Sequence, residues 1–465
     1  MITIDLFKLI GKRIQHIHDL SFHVIAKETG RWPIIFPLKL QTRFVKLPSL
    51  CLEHEITSVY IFVHEIINNR HRKYSVPIDV NLLLGKQNKK LEDLEGLCDV
   101  NIMEATISEM GTWISHKLEE TYQFNFNVYD QGLLQREECE LKKSRVMDET
   151  GILKVEGGVI NSSGQLFNKS QDKFCFEHTI YGKQNKRTKF EWPNFNKTCA
   201  RILSQPKKII YKKGRCLNLF STFAAANFYH NLLDTYGKLQ ILNECSPLSL
   251  HDYDWYVLPI NRYPLVRKYL NHLKIAKNKI IFIHNDLEEG YQFDEIHAPS
   301  LNGSCKYHRI GAHSHLRKFF LPEESKISNR KIFISREGTG RDMTNEEAVY
   351  DFLEDWGFEI ILASKSIDIP RVFNESNTII APHGAGSTNL IFCKQGTNVI
   401  ELFPEFYIQP YYMSLAQTNK LNYNAIICKE GLIESKTVNT FDHATRSFDI
   451  NLELLDSVLT NICNK

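Results

Sequence analysis

From residue 150 onward, short apolar runs alternate with segments whose apolar residues recur at helical spacing. The runs are the length of strands, and the segments between them repeat apolar residues every three or four positions. The stretch "VEGGVINSSGQLF" (155–167) predicts a hairpin, because alternating Val and Ile flank the turn "NSSG". Strands are predicted at 207–211, 216–220, 254–260, 279–284 and 293–300, and helices at 227–244 and 263–275.

A second alternation begins near residue 330. In its first helix, Thr344 and Glu347 have the spacing of a capping box, and Gly357 suits the residue after the helix. Strands are predicted at 331–336, 358–363, 377–382 and 398–404, and helices at 344–357, at 366–376 and from about 387. This order is typical of a doubly wound parallel sheet. The α/β fold class therefore comprises two Rossmann-like halves with a cleft between them, at 150–325 and 330–445, followed by a C-terminal helix within 446–465.

The first 145 residues have a different pattern. Residues 101–124 carry six apolar side chains on roughly one helical face: Ile102, Ile107, Met110, Trp113, Ile114 and Leu118. This spacing predicts a helix, and we expect residues 1–145 to form a separate, mainly helical N-terminal domain.

Composition narrows the class of protein. The chain has 465 residues, of which 43% are hydrophobic and 24% charged, as in soluble proteins of two or three domains. Its formal net charge is +3 and its basic residues are dispersed, which argues against a nucleic-acid partner. Eleven cysteines without a CxxC pair favour reduced thiols over a zinc or redox site.

The N-terminus lacks the pattern of a secretory signal, because Asp5 interrupts its short apolar start and no small-residue cleavage site follows. The most apolar run, 56–67, is too short to span a bilayer and contains His64 and Glu65. We expect a cytoplasmic protein. An amphipathic contact of the N-terminus with a membrane surface stays open as an alternative.

The stretch "APHGAGSTNLIFC" (381–393) joins a predicted strand to a predicted helix. Such a connection lies at the carboxyl edge of a parallel sheet, where ligands bind, and backbone N–H groups at a helix start favour an anion. The candidate anion-binding residues are His383, Gly384, Ala385, Gly386, Ser387 and Thr388. The alternative is a tight turn with a helix cap, since the stretch matches neither a Walker loop nor GxGxxG.

Arg336 and Arg341 follow the strand 331–336 and are expected at the same edge of the same sheet. Arginine binds phosphate oxygens bidentately, so the two side chains are candidates for a diphosphate clamp. The alternative is that they form surface salt bridges.

In the first half, His230 and Asp234 are four residues apart on one predicted helix and share a face. A carboxylate that orients an imidazole improves it as a general base. The alternative is a buried histidine that is satisfied by a backbone carbonyl.

These clusters, in this order, resemble glycosyltransferase family 61. The family carries a Tyr-His-rich helix, an "SR…R…NE" segment, a "pHGA" turn and an "iEl.P"-like strand. The corresponding residues here are Asn227-Phe228-Tyr229-His230 with Asp234, Ser335-Arg336 with Arg341 and Asn345-Glu346, Pro382 to Gly386, and Glu401 to Pro404. The resemblance covers about 150–430, and Asn231 departs from it where the family often has an aromatic residue.

The resemblance implies a GT-B fold and an inverting transferase that uses a nucleotide sugar, with uridine diphosphate as the usual carrier, to extend a glycan acceptor in surface polysaccharide synthesis. The donor would bind the second half through the clamp, the turn and Glu401 as a ribose ligand. His230 with Asp234 would deprotonate the acceptor, and Asn227 and Tyr229 would lie on the acceptor side.

Asp252-Tyr253-Asp254 has the spacing of a metal-binding DxD motif. It precedes a strand in the half that should not hold the donor, so we interpret it as a turn and predict no metal and no cofactor beyond the co-substrate. Two further alternatives stay open: another nucleotide-sugar enzyme, such as an epimerase or a retaining transferase, and a non-catalytic carbohydrate- or nucleotide-binding protein.

Overall fold

The computed structural model describes residues 107–463 except 131–140, 163, 172, 175–205, 207, 222–223, 226, 284–288, 305, 324–328, 337–341, 363–367 and 432–446, and before residue 107 it describes seven strands. These strands are β1 Thr3–Asp5, β2 Ile17–Ala26, β3 Ile34–Pro37, β4 Phe44–Lys46, β5 Ile56–Ile67, β6 Arg70–Ile78 and β7 Met103–Glu104. Four of them form an antiparallel sheet in the order β3-β2-β5-β6, and β1 pairs with β4.

The next segment contains one short helix, Ile107–Met110, followed by four strands: β8 Thr112–Lys117, β9 Glu120–Gln123, β10 Phe126–Tyr129 and β11 Ser144–Met147. The prediction of a helix over 101–124 is therefore wrong in the described part, and the described residues before 145 are mainly strands. The reason is tertiary pairing. Trp113 and Ile114 lie in a strand that pairs with the first large sheet, and Leu118, expected on the apolar face, is 73% exposed.

The first large sheet is mixed. Its strands are β12 Thr150–Glu156, β13 Val159–Asn161, β14 Leu166–Phe167, β15 Lys173–Phe174, β16 Lys208–Asn218, β17 Trp255–Pro259, β18 Ile280–Ile283 and β19 Glu289–Pro299, joined by β7 and β8. The parallel strands β18-β17-β16-β19 form one end of this sheet, and β12 and β13 run antiparallel to β19. The predicted hairpin is confirmed as β13–β14. The two strands predicted at 207–211 and 216–220 are one strand with an irregularity between Lys212 and Arg215.

Helical segments pack against this sheet. They are a π-helix His230–Thr235, the α-helices Lys238–Cys245, Pro264–His272 and Ser314–Phe320, and the 3₁₀ turns Leu250–Asp252 and Lys277–Lys279. A small hairpin, β20 Gly303–Ser304 and β21 Tyr307–His308, precedes the last of the α-helices.

The second large sheet contains β22 Arg330–Ile334, β23 Phe358–Ile361, β24 Ser376–Pro382, β25 Asn398–Pro404, β26 Asn422–Glu430 and β27 Phe448–Asp449. Its order is β10-β26-β25-β24-β22-β23, with all of these neighbours parallel, and β27 pairs antiparallel with β26. The chain runs from β22 to β23 on one side and then crosses to β24 on the other. This reversal is a topological switch point, where parallel sheets bind ligands at the carboxyl ends of their strands.

The helices of this half are Glu346–Asp355, Ile369–Glu375, Tyr411–Thr418 and Leu452–Cys463, with a 3₁₀ helix at Ala385–Phe392. Gly357 has φ +77°, as predicted for the residue that ends a helix. The capping-box prediction is wrong, because Asn345 takes the cap position and the Thr344 hydroxyl donates to Asp449 (2.8 Å).

Apolar packing joins the two sheets. One buried cluster includes Leu217 and Leu232 from the first half and Ile334, Phe392 and Met413 from the second. Because β8 belongs to the first large sheet and β10 to the second, the predicted boundary near residue 145 does not separate these strands from the halves. The α/β class with parallel strands is thus confirmed. Among the described residues, no helix combines the length and apolar character that crossing a bilayer requires.

Candidate active site

The switch point of the second sheet brings two predicted site segments together. Ser335 and Arg336 follow β22, and Pro382 ends β24, which pairs with β22. The Arg336 guanidinium donates through Nη1 to the carbonyl oxygen of His383 (2.8 Å). The cationic side chain therefore lies directly against the turn predicted as a candidate anion site.

Position 384 requires glycine because a side chain would not fit there, and not because of its backbone angle. Its φ of 170° is extended backbone that any residue adopts. A Cβ at this position would lie 1.4 Å from Nη1 of Arg336, so any side chain here would displace the guanidinium. Gly386 is also close-packed, since its Cβ would lie 3.0 Å from Cγ2 of Ile334 on the neighbouring strand.

The residues of the turn differ in their exposure to solvent. Ala385 and Gly386 are half-buried, whereas Ser387 and Thr388 are buried. The Ser387 N–H donates to the Gly384 carbonyl (3.0 Å), and no side chain caps the 3₁₀ helix. The contact of Ser387 with an anion stays a prediction. The accessible part of the turn is its backbone at 385–386, next to Arg336.

Glu401 lies inside the sheet and not at its mouth. Its carboxylate accepts from His383 Nδ1 (2.5 Å) through Oε1 and from the Tyr423 hydroxyl through Oε2. Glu401 is 1% exposed and His383 is 4% exposed. The ribose contact of Glu401 stays a prediction; in this structure both carboxylate oxygens accept hydrogen bonds from neighbouring side chains. Glu401 holds the Nδ1 side of the His383 ring. That ring also stacks on Phe403, with the ring centroids 4.9 Å apart.

In the first half, the structure confirms that His230 and Asp234 meet. Nδ1 of His230 and Oδ2 of Asp234 are 2.5 Å apart, and both side chains are about nine-tenths buried. They lie in a π-helix, a rare form that occurs often at functional sites. Asn231, the residue that departs from the family pattern, donates to the carbonyls of Ala224 (2.7 Å) and Ile260 (3.1 Å), so it fixes the segment that carries the pair.

Lys238 is a residue that the sequence analysis missed. It is buried four residues after Asp234, and its Nζ donates to the Phe220 carbonyl (2.5 Å). Burial lowers the pKa of Lys238 to about 8, and the charge of Asp234 acts in the opposite direction. The available signal was a lysine within an apolar helical run, at the spacing that places it one turn from Asp234.

The predicted acceptor residues have internal roles. Asn227 accepts the Tyr229 N–H (2.9 Å) through Oδ1 and so caps the start of the His230 segment. Tyr229 is buried, and its hydroxyl is 2.6 Å from Nε2 of His308. Tyr229 is buried and Asn227 is half-buried, and their place on the acceptor side stays a prediction. In this structure both residues hold the helix that carries the His230–Asp234 pair.

Aromatic rings connect the two halves of the site. The Tyr229 ring lies 5.1 Å from the His230 ring and 5.9 Å from that of Tyr412, and the Tyr412 ring lies 5.2 Å from that of His383. His230 and His383 therefore lie at opposite ends of one continuous aromatic cluster. Tyr412 was missed because nothing in the sequence placed the helix Tyr411–Thr418 at the junction of the halves.

Two predicted features remain outside this cluster. Arg341 lies outside the described residues. Asp252 accepts the Ser249 N–H (2.7 Å) and stabilises a local turn, as the turn interpretation predicted. Asp254 instead accepts the Arg215 N–H (2.9 Å), from a residue 39 positions earlier in β16. Within the described parts of the chain, no group of three or more His, Cys, Asp or Glu residues could hold a metal ion.

Comparison with known proteins identifies relatives. The family model for Glycosyltransferase 61 matches residues 228–400. Alpha-1,3-arabinosyltransferase XAT3 of Oryza sativa subsp. japonica is 25% identical over 252 residues, which are 51% of this chain and 42% of that protein. Beta-1,2-xylosyltransferase XAX1 of the same organism is 31% identical over 131 residues, 23% of each chain. Xylan glycosyltransferase MUCI21 of Arabidopsis thaliana is 27% identical over 112 residues, 22% of this chain and 23% of that protein.

These matches confirm the resemblance to glycosyltransferase family 61. The matched family segment begins at Phe228, just before His230, and ends at Ile400, just before Glu401. It therefore includes the His230–Asp234 pair, Arg336 and the 383–386 turn. The chain spans less than half the length of the relatives it matches.

Proposed function

We propose that this chain, in which residues 228–400 are a domain of glycosyltransferase family 61, transfers a pentose or hexose from a uridine diphosphate sugar to a hydroxyl of a glycan acceptor. The transfer inverts the anomeric carbon, and the two halves act as a GT-B pair in the cytoplasm. The observation that carries the proposal is the convergence of Arg336 and the 383–386 turn at the switch point, with the His230–Asp234 pair across one aromatic cluster. Two of the relatives named above are an arabinosyltransferase and a xylosyltransferase, which favours a pentose.

The donor diphosphate binds between Arg336 and the backbone at 385–386. The guanidinium already contacts the turn through the His383 carbonyl, so it is positioned before the donor arrives. Positive charge held at this place stabilises the negative charge that develops on the leaving diphosphate. For this reason we propose that the reaction needs no divalent metal.

His383 also acts on the donor side of the site. Its Nδ1 is held by Glu401, whose second oxygen is held by Tyr423. A carboxylate on one ring nitrogen sets the tautomer of the ring and leaves the other nitrogen to a ligand. We assign Nε2 of His383 to hydrogen bonding with the leaving phosphate or the donor sugar.

His230 removes the proton from the acceptor hydroxyl. Asp234 accepts from Nδ1 of His230, so Nε2 is the nitrogen that takes the proton. The deprotonated oxygen attacks the anomeric carbon from the face opposite the diphosphate. The C–O bond to the diphosphate breaks as the new glycosidic bond forms, and one inversion results.

Nucleotide binding tests this proposal. The melting temperature of the purified chain is measured with uridine diphosphate and with other nucleoside diphosphates, in EDTA and with Mn²⁺. A ligand that binds only the folded state at about 100 times its Kd stabilises by about 2.7 kcal/mol. We expect stabilisation by uridine diphosphate in EDTA, loss of it in Arg336→Ala, and retention in Arg330→Ala. Arg330 is the matched control because it begins the same strand and binds Glu359 and Glu375 at the opposite edge.

If no nucleoside diphosphate raises the melting temperature, the chain is a non-catalytic relative and the turn is a structural connection. If only Mn²⁺ permits stabilisation, the metal-free clamp is wrong. The anomeric configuration of the product, measured by NMR before mutarotation or on the isolated glycoside, distinguishes an inverting transferase from a retaining one.

A further inference from the structure

The aromatic rings around His230 differ in exposure. Tyr229 and Tyr412 are buried and belong to the core. Phe228, Tyr263 and Tyr411 are half-buried and pack against that core with only part of their surface. Of the three partly exposed rings, that of Tyr411 lies 6.2 Å from the His230 ring, and Phe228 precedes His230 by two residues in the chain.

Two of these rings belong to the first half. Phe228 lies two residues before His230, and its ring packs edge-to-face on that of Tyr263, with the centroids 5.2 Å apart. Tyr263 follows β17 by four residues and immediately precedes the helix Pro264–His272. Both rings thus lie at the carboxyl edge of the parallel strands of the first sheet, where ligands bind in such sheets.

The third ring comes from the second half. Tyr411 begins the helix Tyr411–Thr418, which follows β25. Its ring centroid is 5.0 Å from that of Tyr229 and 6.2 Å from that of His230. The donor half therefore contributes a partly exposed ring to the immediate surroundings of the candidate base in the other half.

We propose that Phe228, Tyr263 and Tyr411 form the acceptor subsite and hold a neutral sugar ring of the glycan beside His230. A pyranose or furanose ring has an apolar C–H face that packs on aromatic side chains, while its hydroxyls remain available for hydrogen bonds. The three rings supply the apolar surface, and the His230–Asp234 pair supplies the polar group that meets the reacting hydroxyl. Because Tyr411 comes from the second half, the subsite is complete only when both halves are in contact.

This inference rests on the proposed glycosyl transfer, and its test measures sugar contact without requiring turnover. Saturation-transfer NMR is recorded on the full chain with xylohexaose, cellohexaose and maltohexaose, with saturation of the aromatic protein protons. We expect transfer to C–H protons of at least one oligosaccharide in the wild type, at least a fivefold loss in Tyr411→Ala, and recovery in Tyr411→Phe, which keeps the ring. Phe228→Leu and Tyr263→Ala should each reduce the transfer.

Tyr211→Ala is the matched control, because Tyr211 is 58% exposed and lies toward the amino end of β16, away from the carboxyl edge. It should leave the transfer unchanged. Stabilisation by uridine diphosphate, measured on the same variants, should be unchanged in Tyr411→Ala. Absence of transfer to all three oligosaccharides, or equal transfer in wild type and Tyr411→Ala, would overturn the subsite. Loss of nucleotide stabilisation in the wild type would instead count against the proposed function.

Discussion

His383 and Glu401 form a buried pair, in which Nδ1 of the imidazole and Oε1 of the carboxylate are 2.5 Å apart. The histidine follows β24 and the glutamate lies within β25, two neighbouring parallel strands. Tyr423 on β26 holds the other carboxylate oxygen, so three consecutive strands meet in this contact. The pair thereby fixes the turn that carries Gly384 against the strands that support it.

Replacing Glu401 by Gln should weaken both the fold and the turn. The substitution keeps the side-chain volume but removes the charge that accepts two hydrogen bonds. Hydrogen bonds to a charged group contribute about 1.5–3 kcal/mol, so we expect the free energy of unfolding to fall by about 2 kcal/mol. Urea unfolding measures this change. Tyr423→Phe removes one of the two bonds and should cost less, and equal stability of Glu401→Gln and wild type would contradict a supporting role.

Gly384→Ala should impair donor binding more than stability. The new Cβ would lie 1.4 Å from Nη1 of Arg336, the end of a flexible side chain, so the guanidinium moves and the backbone does not. We expect the affinity for uridine diphosphate, measured from the rise in melting temperature that the nucleotide causes, to fall about tenfold. The melting temperature without ligand should change little.

A double-mutant cycle identifies the route of this effect. If Gly384→Ala acts by displacing Arg336, it should cause no further loss of nucleotide affinity in an Arg336→Ala background. Additive losses would mean that the glycine acts through its own contact with the nucleotide.

His230→Ala should slow transfer with the donor still bound. A positioned base contributes about a hundredfold to ten-thousandfold, so we expect turnover to fall by that range with saturating donor, and the nucleotide melting shift to persist. Asp234→Asn should lower turnover less, since the His230 imidazole remains in place. His251→Ala is the control, because His251 is an exposed histidine in a 3₁₀ turn of the same half. Near-normal turnover in His230→Ala would exclude it as the base.

His308, which is buried, and His315, which is half-buried, should make the protein acid-sensitive. Burial lowers the pKa of His308 and the pKa of His315 to about 4, against about 6.5 in the unfolded chain. Between these values the unfolded state binds more protons, so stability falls as pH decreases from about 6.5 to 4 and is fully present above this window. Each histidine contributes up to about 3 kcal/mol at 1.36 kcal/mol per pKa unit.

Urea unfolding at pH 7, 6, 5 and 4 measures this dependence. The His315 nitrogens contact the Gln240 amide oxygen and the Tyr236 carbonyl, each at 3.0 Å, and Glu244 is the nearby charge that opposes the shift. His315→Gln cannot titrate in this range, so its curve should be flatter than that of the wild type. Parallel curves would show that another group causes the acid sensitivity.

The N-terminal region illustrates where sequence patterns failed. Residues 101–124 have apolar side chains at helical spacing, yet β8 and β9 pair with strands that are more than 30 and more than 20 residues away in the chain. Local spacing carries no information about such partners, and backbone pairing with an existing sheet overrides a weak helical preference. The strand predicted at 377–382 succeeded because its apolar run is bounded by clear turn signals and is buried in the sheet.

By itself, the sequence determined the alternation of strands and helices after residue 150, the Gly-rich turn at the end of β24, and the i, i+4 spacing that lets His230 meet Asp234. These features are local, since they depend on periodicity and on the conformations that short segments adopt. Only the tertiary structure decided that Glu401 supports His383, that Ser387 and Lys238 are buried, and that Tyr411 and Tyr412 join the two halves. Those contacts connect separate strands and helices, and burial and packing alone set which polar groups face one another.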